Sequence, residues 1–372
     1  MIGARLINIS HRLKDEGLFM FVLTKNKVYY GIPTHSAPAV CMVVGFPTLA
    51  KAEFVKQIHF YYEHELLTND ENDFSIYDDN TVVLSNPKEV KMALRKGKHV
   101  IYDGDHMKKS ARIGFLQELS NITCFPMCIV VAEDYLDALV NSPLSESLIY
   151  STELRKVLLG YCPPMYTEGF NRIEIVGKNE SSIIPNKYSL SSLFERFDSF
   201  DQHNSHHKFS LGEHCKAAYD FVKSNYPVKI DILDNDGKVR EDKINVDKVA
   251  GCIVNGGLGE LNRYDRIALA ALLHDIGKPF TVSRTNAKGK DDGEYHYYNH
   301  HHVGAYDAMF YLSSLGVNKN DGLYICNLIY YHMKPFTSWA QSEKSKTRDM
   351  KRIGKTMYED IMILHKADLE AH

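Results

Sequence analysis

The sequence predicts a multidomain protein, with an N-terminal α/β domain built on a parallel sheet and a C-terminal domain built of helices. Its 372 residues exceed the size of one typical domain. In the first half, short apolar β-branched runs alternate with helical patterns, which favours a parallel sheet. In the second half, apolar helical stretches dominate and carry twelve of the eighteen histidines.

Buried strands are predicted in the first half at residues 39–45, 98–103 and 127–132. The first is followed by a helical pattern over residues 46–55, so the order is strand, loop and helix. Two further runs, at 18–23 and 27–30, predict a hairpin.

We therefore expect an N-terminal extension over residues 1–37, an α/β domain over 38–176, a polar linker over 177–190 and a helical domain over 191–372. Polar insertions at 231–247 and 281–294 interrupt the helical domain. The second is either a lid over a site or a plain exposed loop.

The composition limits the classes of function that the protein can have. The net charge of −3 excludes a global basic field, although a local basic groove remains open. No apolar run has the length of a membrane span, and the first residues lack a signal-peptide pattern, so we expect no membrane association. Seven cysteines without paired zinc-type spacing indicate a reducing compartment, and we expect a cytoplasmic protein. The oligomeric state stays open.

One apolar helical run, Ala-Leu-Leu-His-Asp-Ile-Gly-Lys-Pro at 271–279, ends in an adjacent His-Asp pair and breaks at Gly and Pro. Neighbouring side chains on a helix point about 100° apart, so both can reach one metal only from a helix end that faces a cavity. A divalent ion needs about four to six N and O ligands. Candidates from the rest of this half are His206, His207, His214, His300, His301, His302, His332 and Asp368.

The ordered set His214, His274, Asp275, His300, His332 and Asp368 resembles that of the HD-domain metal-dependent phosphohydrolases, over roughly residues 190–372. Matching segments are Leu-Gly-Glu-His at 211–214, Leu-Leu-His-Asp-Ile-Gly-Lys at 272–278, Tyr-Asn-His-His-His-Val-Gly-Ala at 298–305 and Leu-His-Lys-Ala-Asp at 364–368. In the third segment, a histidine is expected to precede a Gly-Ala helix start by four residues. The resemblance implies an all-α HD-type domain.

The resemblance also implies one or two divalent ions, and Mn, Co, Ni, Mg, Fe and Zn are all compatible with the ligands. With one ion, its ligands are His214, His274, Asp275 and Asp368. His300 and His332 then bind phosphate or hold a second ion, and we favour two ions. A bound divalent ion polarises a phosphoryl oxygen and lowers the pKa of water.

Asp275 and Lys278 are the predicted catalytic residues, with Lys278 acting as a phosphate clamp. Lys278 has a simpler interpretation as a cation at a helix C-terminus. Lys278, His207 and His301 are the predicted substrate contacts. For His206 and His207, a surface position or a substrate contact is as good an interpretation as a role in metal binding. Residues 300–302 cannot all point inward from one helix, so at least one should face solvent.

The loop after Gly45 has the length of a Walker-type phosphate loop and lacks its chemistry. Gly45 and Lys51 are present, but Ala50 replaces the second glycine and Ala52 replaces the magnesium-binding hydroxyl residue. A purely structural strand-to-helix turn is the alternative.

Residues 38–176 resemble phage-type polynucleotide 5′-kinases, so the predicted fold is P-loop-like. The similarity lies in Val-Ile-Tyr-Asp-Gly-Asp-His at 100–106, which contains Asp103, in Arg112, in Pro-Pro at 163–164 and in Glu-Gly-Phe-Asn-Arg-Ile at 168–173. The general base would fall at Asp78–Asp79, but no arginine follows two or three residues later, and none lies near 140–142, where the lid would be. These departures predict a degenerate, inactive kinase domain, a pseudokinase retained for binding or positioning.

Kinase-like and HD modules also occur joined in nucleic-acid end-healing and repair enzymes. The predicted function is therefore hydrolysis of a terminal phosphate on nucleic acid: a 3′- or 2′-phosphate, or a 2′,3′-cyclic phosphate on RNA. The alternative enzyme is a nucleotide or cyclic-nucleotide phosphohydrolase or phosphodiesterase. A non-enzymatic alternative is a regulatory nucleic-acid or nucleotide-binding scaffold, and the partners expected are nucleic-acid ends or nucleotides.

Overall fold

The computed structural model describes residues 21–24, 27–32, 37–62, 80–140, 148–177, 188–203, 208–226 and 261–372. The chain divides into two compact units, which we describe separately. The first unit comprises Met1–Ser151 and Glu168–Lys178, and the second comprises Thr152–Thr167 and Asn179–His372.

The first unit contains strands and helices that alternate along the chain. In order they are β1 (Phe21–Thr24), β2 (Lys27–Ile32), β3 (Ala39–Val44), α1 (Leu49–Val55), β4 (Ile58–Tyr62), β5 (Thr81–Leu84), α2 (Pro87–Arg95), β6 (His99–Asp103), α3 (Lys109–Glu118), β7 (Phe125–Ala132), α4 (Tyr135–Val140), α5 (Leu148–Leu159), which contains the boundary at Ser151, and β8 (Arg172–Gly177).

The main sheet is parallel throughout, in the order β5-β6-β3-β7-β8. All six residues of β3 are fully buried, because helices in such α/β units cover both faces of a parallel sheet. The predicted parallel-sheet α/β architecture is confirmed. Since β3 lies between β6 and β7, the loops that follow these three strands meet at one edge of the sheet.

Two strands of the segment expected as a separate extension, β1 and β2, pair with each other, and β2 contributes to the core of this unit. β1 pairs antiparallel with β2, from Phe21 opposite Tyr30 to Thr24 opposite Lys27, and β2 also pairs in parallel with β4. Val28, Tyr30 and Ile32 of β2 are buried in the same apolar cluster as Ile129 of β7. The boundary at residue 37 is therefore not a packing boundary.

The described part of the second unit is helical apart from one hairpin, as predicted. Its further elements are α6 (Leu190–Phe197), α7 (Leu211–Asn225), α8 (Arg263–Leu273), α9 (Lys278–Thr281), β9 (Val282–Thr285), β10 (Asp291–Tyr297), α10 (His300–Ser314), α11 (Lys319–Tyr331), α12 (Ser338–Gln341), α13 (Glu343–Ile353) and α14 (Lys355–Glu370). The polar insertion at 281–294 forms most of the antiparallel β9–β10 hairpin.

Side-chain caps determine where the long helices begin. Ser210 and Glu213 form a reciprocal capping box at α7. Asn262 accepts hydrogen bonds from two backbone amides at the start of α8, and Asn318 caps α11 in the same way. α8 and α11 both end on a histidine as the C-cap residue.

Residues 152–167 belong to the helical unit, whereas the sequence assigned them to the N-terminal domain. The reason is packing: the Tyr161 ring lies edge-on to Tyr306 at 4.9 Å, and the Tyr161 carbonyl accepts a hydrogen bond from His302 Nδ1 at 2.6 Å. Asn327 donates to the Pro164 carbonyl at 3.2 Å. Among the described helices, none combines the length and apolar character needed to cross a bilayer.

The buried His99 makes the first unit sensitive to acid. Its Nδ1 accepts a hydrogen bond from the Ala39 amide at 3.0 Å, and burial lowers its pKa to about 4. The folded pKa lies below the unfolded value, so this contribution to stability is present above about pH 6.5 and is lost as the pH falls toward 4. A shift of this size corresponds to about 3 kcal/mol in total.

We predict that the melting temperature of wild-type protein falls more steeply between pH 7 and pH 4.5 than that of His99→Gln, which keeps an acceptor and does not titrate. Circular dichroism melts of both proteins measure this. Equal acid sensitivity in the two proteins would contradict the assignment.

Candidate metal centre

Six buried side chains converge from five helical segments of the second unit. His214 lies on α7, His274 and Asp275 follow the end of α8, His300 begins α10, His332 caps α11, and Asp368 lies near the end of α14. None exceeds 6% exposure. The structure therefore brings together all six residues of the ordered ligand set that the sequence predicts.

The six side chains form two groups of three, and each group could hold an ion. In the first, His214 Nε2 lies 3.1 Å from His274 Nε2 and 3.2 Å from Asp368 Oδ1. In the second, His300 Nε2 lies 3.1 Å from His332 Nε2 and 3.1 Å from Asp275 Oδ1.

The Asp275 carboxylate joins the two groups. Its Oδ2 is 3.4 Å from His214 Nε2 and 3.2 Å from His274 Nε2. Its Oδ1 faces the second group, 3.1 Å from His300 Nε2 and 3.8 Å from His332 Nε2. One carboxylate can thus bridge two adjacent cations.

Each of the four histidines uses Nδ1 to bond a backbone carbonyl. The pairs are His214 with Ala371 at 3.1 Å, His274 with Ala271 at 2.7 Å, His300 with Tyr297 at 2.7 Å and His332 with Ile329 at 2.6 Å. A carbonyl oxygen can only accept, so Nδ1 carries the proton and Nε2 of a neutral ring presents a lone pair to its group.

Two such lone pairs at 3.1 Å cannot hydrogen-bond to each other, and either a proton on one Nε2 or a divalent cation between the rings resolves the contact. Orientation of a ligating imidazole through its second nitrogen is the usual arrangement in metal sites. The donor set, imidazole nitrogens with carboxylate oxygens, suits divalent ions of the Mn-to-Zn series. The residues therefore fit the ions that the sequence implied.

The two groups differ in their proton affinity. Burial lowers the pKa values of His214 and His274, but Asp275 and Asp368 outweigh it and the net shift of both is upward. In the second group, burial and then the charge of His300 lower the pKa of His332 to about 3. Burial opposes ionisation of Asp275, yet His274 and Lys278 hold its pKa well below the usual range.

Lys278 is buried beside the bridging carboxylate. Its Nζ is 2.7 Å from Asp275 Oδ2 and 2.7 Å from Gln202 Oε1, and it lies 5.4 Å from the centroid of the Tyr297 ring. Lys278 lies in the four-residue helix α9, after α8 has ended. The Gly277 and Pro279 positions start a new short helix there.

Gln202 and Tyr297 were not nominated by the sequence. Gln202 is 1% exposed, and its Nε2 donates to the Phe209 carbonyl at 3.3 Å. The Tyr297 hydroxyl donates to the Gln202 carbonyl at 2.6 Å. His372, whose ring lies 5.0 Å from that of His214, was also missed. None of these residues belongs to a short motif.

A pair of glycines lets the segments carrying the ligands approach each other. A Cβ added to Gly277 would lie 2.1 Å from the His300 carbonyl oxygen, and one added to Gly304 would lie 3.4 Å from the Gly277 nitrogen. α10 begins at His300, so Gly304 lies within the helix and does not start it. Close packing of the backbones requires the glycine at Gly277, whereas a Cβ at Gly304 would meet contacts of 3.4 Å or longer.

The structure describes two of the other candidate histidines, His301 and His302, and not His206 or His207. His301 and His302 are half-buried, so the expected solvent-facing member of the triplet is not found. His302 bonds the Tyr161 carbonyl, whereas the buried Nδ1 of His301 has no hydrogen-bond partner among the described residues. His206, His207 and Asp78 lie outside the described residues.

In the first unit, the phosphate-loop residues meet at the edge of the sheet. Lys51 Nζ is 2.8 Å from Asp103 Oδ1 and 3.2 Å from the Gly104 carbonyl. The Thr48 hydroxyl donates to Glu133 at 2.6 Å. A Cβ at Gly45 would lie 3.0 Å from the Val131 carbonyl oxygen, so this loop packs tightly on β7.

Comparison with known proteins supports the helical unit. The HD domain family model matches residues 254–368. This range includes His274, Asp275, His300, His332 and Asp368, while His214 precedes it. Members of this family are generally metal-dependent hydrolases, so the match supports a metal-dependent phosphohydrolase in general terms. No curated protein matched the chain.

Two ions per chain are predicted, because each group supplies three ligands around one bridging carboxylate. His332→Ala should reduce the stoichiometry to one by removing a ligand of the second group only. Its loss should weaken that site by more than the roughly 10–100-fold that a supporting residue contributes. Elemental analysis after equilibration with Mn²⁺ measures this, and one ion in the wild type would contradict it.

Gly277→Ala is predicted to lower the free energy of unfolding by about 1–3 kcal/mol and to weaken metal binding, because its Cβ collides with backbone. Gly322→Ala on α11 is the control, since a Cβ there meets nothing within 4 Å. That change should be neutral or stabilise by up to about 1 kcal/mol. Denaturant unfolding and Mn²⁺ titration provide the comparison, and equal effects would refute the packing argument.

Proposed function

We propose that the protein is a metal-dependent phosphohydrolase that acts on terminal phosphates of nucleic acids. The observation that supports this most directly is the pair of ligand groups bridged by Asp275. In each group, two imidazole nitrogens approach to 3.1 Å with their lone pairs turned inward. A proton on one ring or a divalent ion relieves this contact, and the three ligands of each group around one shared carboxylate suit two ions.

His214, His274 and Asp368 would hold one ion, His300 and His332 would hold the other, and Asp275 would bind both. Bound there, the ions would supply Lewis-acid polarisation of the phosphate and activation of water. The chain's own contribution is to hold each imidazole in one tautomer and orientation through its Nδ1 hydrogen bond.

Lys278 would act as a positioning and charge-stabilising group for the phosphate. Its position is set by Asp275, Gln202 and the face of Tyr297, so its ammonium remains beside the metal groups without substrate. A buried ammonium ion of this kind is a compact positive charge for a phosphoryl oxygen. His301, with its Nδ1 available, is the second candidate substrate contact.

The nucleic-acid substrate is proposed from the N-terminal unit's resemblance to polynucleotide kinases, which accompany HD modules in end-healing enzymes. The preferred substrates are a 3′- or 2′-phosphate and a 2′,3′-cyclic phosphate. We further propose that the N-terminal unit does not transfer phosphate, because Lys51 pairs with Asp103 and Ala52 offers no magnesium ligand. It would hold or position the strand in the cytoplasm.

His274→Ala and Asp275→Asn are expected to lower kcat/KM for phosphate release by at least about 100-fold, since several kcal/mol of metal stabilisation is lost. The assay compares oligonucleotides bearing each terminal phosphate with mononucleotides and cyclic nucleotides, using Mn²⁺, Co²⁺, Ni²⁺ and Mg²⁺. Asp220→Asn, an exposed carboxylate on α7, is the matched control and should be silent.

Phosphate release that persists in both His274→Ala and Asp275→Asn would contradict the phosphohydrolase proposal. Hydrolysis confined to free or cyclic nucleotides would favour the alternative substrates. Failure to bind any divalent ion would favour a non-catalytic scaffold. Robust 5′-phosphate transfer from ATP would refute the assignment of the N-terminal unit as an inactive kinase.

A further inference from the structure

A stripe of positive charge runs along one face of α13, between the segments that carry His332 and Asp368. It consists of Lys344, Arg348, Lys351 and Arg352, which are all exposed. Their spacing of i, i+4, i+7 and i+8 places them on one helix face. The opposite face holds the buried Asp349 and Ile353, so the stripe is directed to solvent.

The stripe is poorly neutralised. Among the described residues, no carboxylate lies within ion-pair distance of Lys344, Lys351 or Arg352. Arg348 has only a 3.4 Å contact with Asp349. An open space of about 640 Å³ along this face is lined by these four side chains together with Glu343 and Thr347. Such a stripe on a chain of net charge −3 is local, and it matches the repeated charge of a phosphate backbone.

A separate cavity lies at the end of the stripe. It has a volume of about 320 Å³ and is lined by residues that include Tyr166, Leu323, Tyr324, Asn327 and Lys355. Lys355 is exposed and follows the stripe directly, one residue beyond Gly354. Tyr166 is 48% exposed, which leaves aromatic surface available for stacking. The cavity is therefore mainly apolar, with an aromatic surface and a cation.

One polar atom in this cavity lacks a partner. Asn327 is 2% exposed, and its Nδ2 donates to the carbonyls of Pro164 and Leu323. Because both are acceptors, the orientation of the amide is determined and Oδ1 must be the remaining atom. Oδ1 is buried and has no hydrogen-bond partner among the described residues. This oxygen is an unsatisfied acceptor of a residue that lines the cavity, and a ligand with an N–H or O–H donor would supply its missing partner.

We propose that this surface binds single-stranded nucleic acid, with the backbone phosphates along the α13 stripe and one unstacked base in the cavity. The base would stack against Tyr166 and donate an N–H to Asn327 Oδ1. An unpaired base enters such a site without the cost of unpairing that flipping a base out of a duplex carries, so the partner we propose is a single strand.

The distance from this surface to the metal centre is one that a short strand could span. Thirteen residues of α14 separate Lys355 from Asp368, a rise of about 20 Å. A stacked strand rises about 3.4 Å per nucleotide, so about six nucleotides would bridge this distance. This step alone rests on the proposed function, since it places the strand's end at the metal groups. Binding to the stripe and cavity does not require it.

The test measures binding with catalysis absent. Full-length protein in EDTA is titrated into a fluorescein-labelled single strand of about twelve nucleotides, and anisotropy is recorded at several salt concentrations. Lys351→Ala/Arg352→Ala should weaken binding about tenfold or more. It should also reduce the slope of log affinity against log salt by about 1.4, or about 0.7 per phosphate contact.

The matched control is Lys156→Ala/Lys216→Ala, which removes the same charge from two exposed lysines held by local carboxylates. It should change neither affinity nor slope beyond about twofold. For the cavity, Tyr166→Ala should weaken binding about tenfold, and Tyr166→Phe should restore it because the ring is retained. Circular dichroism spectra and thermal melts verify that each variant is folded.

Equal losses in the stripe and control variants, or unchanged binding in both Lys351→Ala/Arg352→Ala and Tyr166→Ala, would overturn this inference. Binding to anionic lipid vesicles without binding to the strand would do the same. The two proposals fail separately. Strand binding through these residues without phosphate release leaves this inference intact, and phosphate release without strand binding leaves only the phosphohydrolase.

Discussion

The buried carboxylate of Asp275 is the constraint on which the helical unit depends. It is 2% exposed and contacts both histidine groups and Lys278, so its charge must be balanced inside the protein. An uncompensated buried charge costs several kcal/mol. The surrounding helices therefore have to end, begin or turn where a nitrogen can face this carboxylate. The four Nδ1 hydrogen bonds to carbonyls supply the orientation that this requires.

The positions of several ligands could be predicted because they coincide with helix ends that the sequence marks. The apolar run of α8 stops at Gly277 and Pro279, which places His274 at the C-cap. Gln202 could not be found in this way, because it lies 76 residues from Lys278 and its contact exists only after tertiary packing. The choice of His300 within the histidine triplet depended on the register of α10, and the half-burial of its two neighbours depended on Tyr161 and Tyr330.

The first unit shows the same division between local and long-range information. Its buried strands are β-branched runs, so their existence and their parallel arrangement were predictable. The parallel pairing of β2 with β4 was not predictable. It depends on which strand edge is still unpaired when the chain folds, and the sequence does not show this. Lys51 and Asp103 were identified in separate motifs, and the pairing of β3 with β6 brings Val43 opposite Asp103 and so places the lysine beside the carboxylate. A phosphate entering this loop would compete with an ion pair already formed.

The net charge of the chain does not reveal the basic face of α13, because acidic residues elsewhere cancel its positive charge in the sum. The face becomes apparent only with helical periodicity, which separates Lys344, Arg348, Lys351 and Arg352 from the buried Asp349. Gly354, with φ of +87°, then ends the helix in a conformation that favours glycine, and α14 begins at once. Because α14 carries Lys355 at one end and Asp368 near the other, one rigid helix sets the separation between the strand-binding surface and the metal groups. If a strand binds as we propose, this helix and not a flexible loop would fix the distance from the bound segment to the metal groups, and the strand's end would lie at a defined position.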